Sequence, residues 1–348
     1  MPQAAQAQAQ RQEFYGRIAP LHLAPLWERF AALVTHEPRT PCVPCHWSYQ
    51  AMRPLLLESG ALITAREAER RVLVLENPAL RGASSVTHSL YAGLQLVLPG
   101  EVAPCHRHAP SALRLVVEGR GAYTAVEGER AYMEPGDFII TGPWSWHDHG
   151  NPGAAPVVWL DGLDLPLVNF LDASFLERHP DESQPESRPP GSSAARYGAG
   201  LLPVGFRGET LHSPLFHYPY ARSREALERL RHEEAWDPHH GLRLAFANPT
   251  NGGSPLPTIS TCLQLLPRGF ATAPYRSTDG TVLSVIEGEG ESEVAGQRFA
   301  WHPGDTLVVP SWQPAMHRAR ADSVLFSFSD RGVQQALGIW REQKESAR

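Results

Sequence analysis

Gly100-Glu101-Val102-Ala103-Pro104-Cys105-His106-Arg107-His108 is the most informative stretch of this 348-residue sequence. Its two histidines are two residues apart, and on a β-strand this spacing points both imidazole rings to one face. A second stretch begins at the turn Pro135-Gly136-Asp137, continues through the apolar Phe138-Ile139-Ile140-Thr141 and reaches a third histidine, His147. Together they predict neighbouring strands that bring three imidazole rings close to one another.

An internal repeat with an offset of about 169 residues indicates that one module has been duplicated. Val117-Glu118-Gly119-Arg120-Gly121 corresponds to Ile286-Glu287-Gly288-Glu289-Gly290, and Pro135-Gly136-Asp137 corresponds to Pro303-Gly304-Asp305. Within each copy the segments are short, alternate apolar with polar residues, and stop at Gly, Pro or Asp. This pattern predicts an all-β protein with two barrels of the double-stranded β-helix, or jelly-roll, type.

The repeat also predicts how the chain is divided. Prolines and polar residues fill Arg178–Gly198, which is typical of a linker, and Arg222–Glu234 has the spacing of a helix. A further helical segment is predicted near Leu26–Val34, in an arm that we expect at a subunit contact. The predicted regions are the partly helical arm (1–80), a metal-binding first barrel (81–175), a linker with a helical segment (176–238), and a second barrel without metal (239–348).

Composition excludes several classes of function. The net charge is −6 and the pI is near 6.2, which offers no counterpart to a polyphosphate backbone, so we expect no nucleic-acid partner. The first ten residues lack the features of a signal peptide, and no apolar run approaches the roughly 20 residues that cross a bilayer. We therefore expect a cytoplasmic protein that does not bind membranes.

The cysteines agree with a reducing compartment, because they are too few and too unevenly spaced for a disulfide framework. Cys42-Val43-Pro44-Cys45-His46 matches the attachment pattern of a c-type haem, but such attachment requires export. We therefore predict two free thiols and a packed histidine in this segment.

His106, His108 and His147 are predicted to hold one metal ion. Taken alone, a His-x-His pair is more often an exposed feature of a strand. That interpretation is reversed because this stretch and the one that leads to His147, taken together, resemble the two signature motifs of the cupins. Three neutral imidazoles leave the charge of a divalent ion uncompensated and several coordination positions open, which favours an anionic chelating substrate. Such a ligand set would also suit zinc or copper.

Several polar residues are candidates for the surroundings of this metal. Counting by two from His108 reaches Ala112 and then Arg114, whose guanidinium would face the same cavity and could bind a carboxylate; the alternative is a surface arginine. Arg70 and Arg71 are weaker candidates for the same role. A polar side chain inside a barrel needs a partner, which makes Gln95 a further candidate.

His149 is a candidate for proton transfer. It lies two residues after His147 and could act as a fourth ligand, but a histidine beside a metal is better suited to acid–base work. Asp161 is the predicted carboxylate that orients its ring, with a β-turn aspartate before Gly162 as the alternative.

The second module has lost the metal ligands. Tyr275, Ser277 and Ala315 occupy the positions of His106, His108 and His147, and His317 is interpreted as a displaced remnant. We therefore predict one metal per chain and a structural second barrel.

The two histidine stretches resemble the two signature motifs of the cupins, although most cupins have a glutamate where this chain has Ala112. More specifically, the chain resembles the gentisate 1,2-dioxygenase family. The segments that carry this resemblance are Tyr91-Ala92-Gly93-Leu94-Gln95, Pro104 to His108, Ser111-Ala112-Leu113-Arg114, Gly136 to Thr141, Trp146-His147-Asp148-His149-Gly150-Asn151, and Val324-Leu325-Phe326-Ser327-Phe328-Ser329-Asp330.

The resemblance implies a homotetrameric bicupin with one Fe(II) per chain and no organic cofactor, whose substrates are a small aromatic acid and O2. It implies that gentisate is cleaved to maleylpyruvate, that Arg114 and Gln95 contact the substrate, and that His149 with Asp161 handles protons. Related enzymes cleave salicylate or 1-hydroxy-2-naphthoate, and Tyr91 is the residue expected to recognise the second ring hydroxyl of gentisate. The alternative from another class is a cupin that binds a small molecule or metal without turnover.

Overall fold

The structure is a computed structural model that describes residues 2–208, 210–233 and 235–345. The described residues up to Arg39 form one compact unit, and those from Thr40 onward form another. No helix within the described residues is long and apolar enough to cross a membrane. The helices of the described residues are α1 (Pro2–Ile18), α2 (Phe30–Leu33), α3 (Tyr49–Leu62), α4 (Ala65–Ala68), α5 (Leu165–Phe170), α6 (Ser192–Tyr197), α7 (Tyr220–Leu230) and α8 (Arg331–Ala336).

The N-terminal unit is helical. The segment predicted near Leu26–Val34 is present as a 3-10 turn, Leu26–Glu28, followed by α2. Tyr15 connects this segment to α1, because its hydroxyl donates to Glu28 and accepts from the indole of Trp27, at 2.5 and 2.9 Å. Sequence analysis did not predict α1, since its Ala- and Gln-rich sequence has helix propensity but no apolar stripe.

The second unit is built of short antiparallel strands, as predicted. In the described residues the strands of the first barrel form sheets in the orders β12-β8-β5-β10-β3-β2 and β11-β4-β9-β6-β7. The strands of the second barrel form sheets in the orders β1-β19-β16-β21-β14-β13 and β18-β17-β20-β15-β22. In chain order these strands are β1 (Cys45–Trp47), β2 (Val72–Val74), β3 (Tyr91–Val97), β4 (Val102–His108), β5 (Ala112–Glu118), β6 (Tyr123–Val126), β7 (Glu129–Tyr132), β8 (Phe138–Thr141), β9 (His147–Gly150), β10 (Val157–Leu163), β11 (Leu176–Arg178), β12 (His217–Tyr218), β13 (Leu242–Ala245), β14 (Ser260–Leu266), β15 (Tyr275–Ser277), β16 (Thr281–Glu287), β17 (Gly290–Val294), β18 (Gln297–Trp301), β19 (Thr306–Val309), β20 (Ala315–Ala319), β21 (Ser323–Ser329) and β22 (Glu342–Lys344).

The segment between the barrels is ordered against the first barrel. β11 pairs with β4, the strand of the His-x-His motif, and Gln184 is buried, where its side-chain amide donates to Asp148 at 3.0 Å. The helix predicted over Arg222–Glu234 is α7, which begins two residues earlier and ends at Leu230; Glu234 lies outside the described residues.

Each barrel receives a strand from the segment that precedes the other barrel in the chain. β1 comes before the first barrel but pairs with β19 of the second, and β12 comes before the second barrel but pairs with β8 of the first. The aromatic core is also continuous, since the rings of Phe138 and Phe326 lie 5.3 Å apart. The two barrels therefore share both sheet edges and core.

The aspartate of each Pro-Gly-Asp turn binds the segment that follows the added strand, β1 in the second barrel and β12 in the first. Asp305 accepts from the backbone N–H of Tyr49 at 2.8 Å and lies 2.9 Å from Nε2 of His46, the packed histidine predicted from sequence. The hydroxyl of Tyr49 donates to Glu118 of the first barrel at 2.7 Å. We call these contacts of Asp305 and Tyr49 a clamp. It connects the Pro-Gly-Asp turn of one barrel to the Val-Glu-Gly segment of the other.

The same clamp is built a second time by the other half of the repeat. Asp137 accepts from the backbone N–H of Tyr220 and lies close to Nε2 of His217, both at 2.8 Å. The hydroxyl of Tyr220 donates to Glu287 at 2.5 Å. The repeated motif therefore has a structural role that does not depend on metal.

We expect Asp137→Ala and Asp305→Ala each to lower the free energy of unfolding by about 2–4 kcal/mol, because each removes several hydrogen bonds of one buried carboxylate. Urea unfolding followed by tryptophan fluorescence measures this change. Asp181→Ala, which alters an exposed aspartate, is the matched control. A loss below about 1 kcal/mol in both variants would contradict the role assigned to the clamp.

Candidate metal centre

The two strands that carry the three histidines lie side by side. β4 pairs antiparallel with β9, and His106 lies opposite His147 in this register. The alternation of β4 sends Arg107 to the other face, where its Nε donates to Glu177 at 2.7 Å. His106 and His108 therefore share the inner face, as their spacing predicted.

The three imidazole rings form one group. One ring nitrogen of each of His106, His108 and His147 lies within 4.8 Å of the others. Their ring centroids are 4.5, 4.8 and 5.3 Å apart. Within the described residues, these three histidine side chains form a group that could hold a metal ion.

Hydrogen bonds at Nδ1 fix two of these rings. His108 Nδ1 lies 2.8 Å from the carbonyl of Pro110, and His147 Nδ1 lies 2.9 Å from that of Ser145. A carbonyl oxygen can only accept, so each Nδ1 carries the proton and each Nε2 keeps its lone pair. His147 Nε2 is buried without a hydrogen-bond partner among the described residues. An orphaned lone pair beside two other imidazoles fits a divalent metal ion.

The imidazoles are neutral at pH 7. Burial, together with the nearby Arg70, lowers the pKa of His106 to about 2. Burial also lowers the pKa of His108 to about 4 and holds that of His147 well below its usual range. Since metal ligation requires unprotonated nitrogen, these shifts favour binding rather than proton competition.

Arg114 lies on β5, in the other sheet of the barrel, and not on a continuation of β4 as the count by two from His108 assumed. It is near the histidines, since, after burial, its charge helps to lower the pKa of each of the three. Its side chain is buried, its NH1 donates to Thr141 Oγ1 at 2.8 Å, and its Nε lies 3.4 Å from Asp161. Asp161 also accepts from the indole of Trp159 at 3.1 Å. Burial raises the pKa of Asp161 to about 6, although Arg114 and Arg70 act in the opposite direction. The guanidinium is therefore held in place before any substrate binds.

The structure separates the two candidate arginines that sequence could not. Arg70 NH2 lies 2.9 Å from His106 Nδ1 and also donates to the carbonyl of Pro104. Arg71 is buried and bonded to Glu101, at 2.9 Å through NH1, so it is a structural residue. Arg70 is thus the one beside the histidines.

One wall of the site comes from β3. Every second residue of a strand points to the same face, so Tyr91, Gly93 and Gln95 share one face of β3. Gln95 is buried. A Cβ at Gly93 would lie 2.9 Å from the hydroxyl of Tyr91 and 2.5 Å from Val72. Gly93 therefore leaves the room that the Tyr91 ring occupies. Burial, followed by the charge of Asp161, raises the pKa of Tyr91, so its hydroxyl stays protonated.

His149 has a different partner from the one predicted. Its Nδ1 lies 3.0 Å from Thr124 Oγ1, directly across β6 and β9, whereas Asp161 is engaged with Arg114 and Trp159. A hydroxyl can donate or accept, so Thr124 suits either tautomer of the ring. His149 Nε2 is buried without a partner among the described residues.

Sequence analysis missed Thr124, although the repeat carried a signal for it. Ser292 lies opposite His317 on β17 and β20, in the register of Thr124 opposite His149, and its Oγ is 2.7 Å from His317 Nδ1. His317 is therefore the counterpart of His149 and not a displaced metal ligand. The interpretation of His317 as displaced is wrong, because the alignment that sets Ala315 against His147 also sets His317 against His149.

Comparisons with known proteins extend over nearly the whole chain. A family model described as a cupin domain matches residues 93–163. The gentisate 1,2 dioxygenase 1 of Aquipseudomonas alcaligenes is 55% identical over 335 residues, which cover 96% of both chains. The 5-aminosalicylate 1,2-dioxygenase of Comamonas sp is 40% identical and covers 95% of this chain and 89% of its own.

A solved structure has the same architecture. Salicylate 1,2-dioxygenase from Pseudoaminobacter salicylatoxidans, described as adducts with gentisate, matches with a TM-score of 0.92 at 32% identity. The match covers 97% of this chain and 94% of that one. The chain thus shares most of its length, and its fold, with proteins that are named as 1,2-dioxygenases.

Proposed function

Because the chain belongs to the gentisate 1,2-dioxygenase family of ring-cleaving bicupin enzymes, we propose that it cleaves gentisate with dioxygen. The bond broken joins the carboxylate-bearing carbon to the adjacent hydroxyl-bearing carbon. Both atoms of dioxygen enter the product, maleylpyruvate. The observation that carries the proposal is the group of three neutral imidazoles with the guanidinium groups of Arg70 and Arg114 beside it.

The metal of this proposal is Fe(II), one per chain, held by His106, His108 and His147. When bound, the ion supplies a Lewis-acidic centre with open positions for an aromatic acid and dioxygen. The three ligands carry no charge, and Ala112 replaces the acidic ligand of most cupins, so a substrate carboxylate provides the compensating negative charge.

The arginines orient the substrate. A guanidinium presents a planar fork of N–H groups that matches a carboxylate. Arg114 is fixed by Thr141 and Asp161, and Arg70 approaches from the loop after α4. Gln95, buried on β3, can hydrogen-bond a ring hydroxyl. These residues bind and position the acid, which reduces the entropy lost when the reacting groups meet.

His149 holds or releases a proton at Nε2. Burial keeps the pKa of His149 well below its usual range, so the ring is neutral at pH 7. Rotation of the Thr124 hydroxyl accommodates the proton on either ring nitrogen. When Nε2 takes a proton from a substrate hydroxyl, the ring becomes an imidazolium whose Nδ1–H donates to Thr124, and the phenolate left on the substrate balances its charge. In this role Asp161 acts through Arg114 rather than through His149.

The test is oxygen consumption by Fe(II)-reconstituted protein with gentisate, salicylate, 5-aminosalicylate and 1-hydroxy-2-naphthoate. We expect gentisate to give the largest kcat/KM, with a ring-opened product that absorbs in the near ultraviolet. Faster turnover of salicylate or 1-hydroxy-2-naphthoate would assign the alternative substrate. A protein that binds iron but consumes no oxygen with any of these acids would be a non-catalytic binding cupin.

Tyr91→Phe tests how the second ring hydroxyl of gentisate is recognised. We expect kcat/KM for gentisate to fall about tenfold and that for salicylate, which lacks this hydroxyl, to change little, because about one hydrogen bond is lost. Steady-state kinetics of both substrates measure the ratio. Tyr132→Phe changes an exposed tyrosine and serves as the control. An unchanged ratio would remove this role from Tyr91.

A homotetramer and a cytoplasmic location complete the proposal. The N-terminal unit exposes several large apolar side chains, which favours contact with another subunit. They are Leu21, Leu23, Leu26, Trp27, Phe30, Leu33 and Val34. The four cysteines are free thiols, which suits a reducing compartment. Light scattering of the purified protein measures the oligomeric state.

A further inference from the structure

The second barrel contains a polar cavity of about 50 Å³ that the proposed reaction does not use. We propose that this cavity binds a small monovalent carboxylate, such as formate or acetate, through the guanidinium of Arg243. The side chains that matter are those of Arg243, Gln264, Tyr275, His240, His317 and Arg331, which line the cavity.

Part of this lining has counterparts at the same repeat positions in the metal-binding barrel. Gln264 occupies the position of Gln95 in the repeat, and His317 with its Ser292 hydroxyl reproduces His149 with Thr124. The second barrel has therefore kept polar groups that face its interior although its metal ligands are gone. Gln264 donates to the carbonyl of His240 and His317 contacts Ser292, so both have protein partners and the case for a ligand depends on Arg243.

Arg243 has no arginine at the corresponding position of the first barrel. It lies opposite Gln264 on β13 and β14, in the register that Val72 has opposite Gln95 in the first barrel. Its Nε is buried and has no hydrogen-bond partner among the described residues. None of the acidic residues in the described part of the chain forms an ion pair with it. A partly buried guanidinium whose Nε lacks a partner and that has no carboxylate in contact within the described chain favours a bound anion.

The other charges of the cavity leave this guanidinium uncompensated. Arg331 is balanced by Asp279, whose carboxylate lies 3.5 Å from its Nε, and it donates to the Tyr275 hydroxyl at 2.9 Å. Arg276, also in the lining, donates to Gln343 and lies over the ring of Trp312.

The two histidines of the lining add no positive charge. Burial and the nearby Arg243 lower the pKa of His317 to about 4 and that of His240 to about 3. Both rings are neutral at pH 7 and can hydrogen-bond a ligand. With Arg331 balanced by Asp279, the guanidinium of Arg243 remains in the lining without an ion-pair partner among the described residues, which favours a small anion.

The size of the cavity limits the ligand. A buried water needs about 10–15 Å³ on this measure, so 50 Å³ holds roughly four water-sized groups. Formate and acetate fit this space, whereas an aromatic acid does not. The site is therefore distinct in ligand class from the substrate site of the first barrel, and it does not depend on the proposed ring cleavage.

Thermal unfolding of the iron-loaded protein in sodium acetate, against sodium chloride at equal ionic strength, tests the proposal. We expect a saturable rise in Tm with acetate that corresponds to a Kd of about 1 mM, a range open to so small a ligand. His147→Ala should show the same rise, because the second barrel needs no metal. A rise that is lost in His147→Ala would place the acetate in the first barrel and overturn the proposal.

Arg243→Met provides the decisive variant, with Arg320→Met, an exposed arginine paired with Glu291 on the same barrel, as the matched control. We expect the methionine variant to bind acetate at least about tenfold more weakly, since it keeps the side-chain stem but not the guanidinium. If this variant does not fold, Arg243→Lys replaces it and should weaken binding about fivefold, because an ammonium cannot form the fork. Affinity equal to the wild type in the folded variant, or equal stabilisation by chloride, would overturn the proposal.

Discussion

His147→Ala is expected to remove the metal and the ring-cleaving activity together. The ring of His147 lies 4.5 Å from that of His106 and 4.8 Å from that of His108. Its buried Nε2 has no hydrogen-bond partner among the described residues, and a metal ion would be its partner. Loss of one of three ligands leaves two imidazoles that cannot retain the ion against dilution. We expect iron content to fall from about one per chain to less than about 0.1, and kcat to fall at least about 10³-fold.

The second barrel shows that the fold tolerates this change. Ala315 stands on β20 at the position that His147 has on β9, so alanine fits the strand. Iron analysis after reconstitution and oxygen uptake with gentisate measure the two effects, and His106→Ala should behave in the same way. His302→Ala, at an exposed histidine, is the control. A variant that keeps its iron and a normal rate would refute the assignment of the ligands.

Arg114→Leu has the second largest expected effect. The guanidinium is the buried, pre-oriented contact for the substrate carboxylate, and its loss should lower kcat/KM by about 10²–10⁴-fold, or roughly 3–5 kcal/mol. The same change leaves Asp161 buried without its ion-pair partner, which is expected to lower the free energy of unfolding by about 3–5 kcal/mol. Activity and stability therefore fall for different reasons.

The second barrel indicates a double variant that distinguishes the loss of the substrate contact from the loss of the Asp161 ion pair. Leu283 lies opposite Ser327 there, in the register of Arg114 opposite Asp161. The double variant Arg114→Leu/Asp161→Ser should thus recover most of the stability while kcat/KM stays low. Urea unfolding and steady-state kinetics distinguish the outcomes. Activity restored along with stability would show that Arg114 does not contact the substrate.

The stability deficit of Arg114→Leu should depend on pH in the metal-free protein. Asp161 has a folded pKa raised to about 6 by burial, from an ordinary value of 3.8, even with Arg114 present. A carboxyl with a raised folded pKa contributes stability below its unfolded pKa and loses it as pH rises through the folded value. Removing Arg114 raises that pKa further, so the deficit should grow as pH rises above about 6.

Sequence determined the features that depend on consecutive residues. Alternation along β4 placed His106 and His108 on one face, since strand geometry repeats every two residues. Arg114 lies on β5 in the other sheet, so only the folded barrel brings it near the histidines. The duplicated turns predicted two barrels. The place of His317 was misread, although the alignment of the two copies sets it against His149.

Tertiary structure decided what depends on partners that are distant in the chain. The sequence could not choose between Arg70 and Arg71, because neighbouring residues point to opposite sides and either side could have faced the histidines. Nor could it show that Thr124, rather than Asp161, contacts His149, since strand register sets that contact. The exchange of β1 and β12 between barrels has the same origin: their hydrogen bonds are made with strands far away in sequence, and only the folded chain brings those edges together.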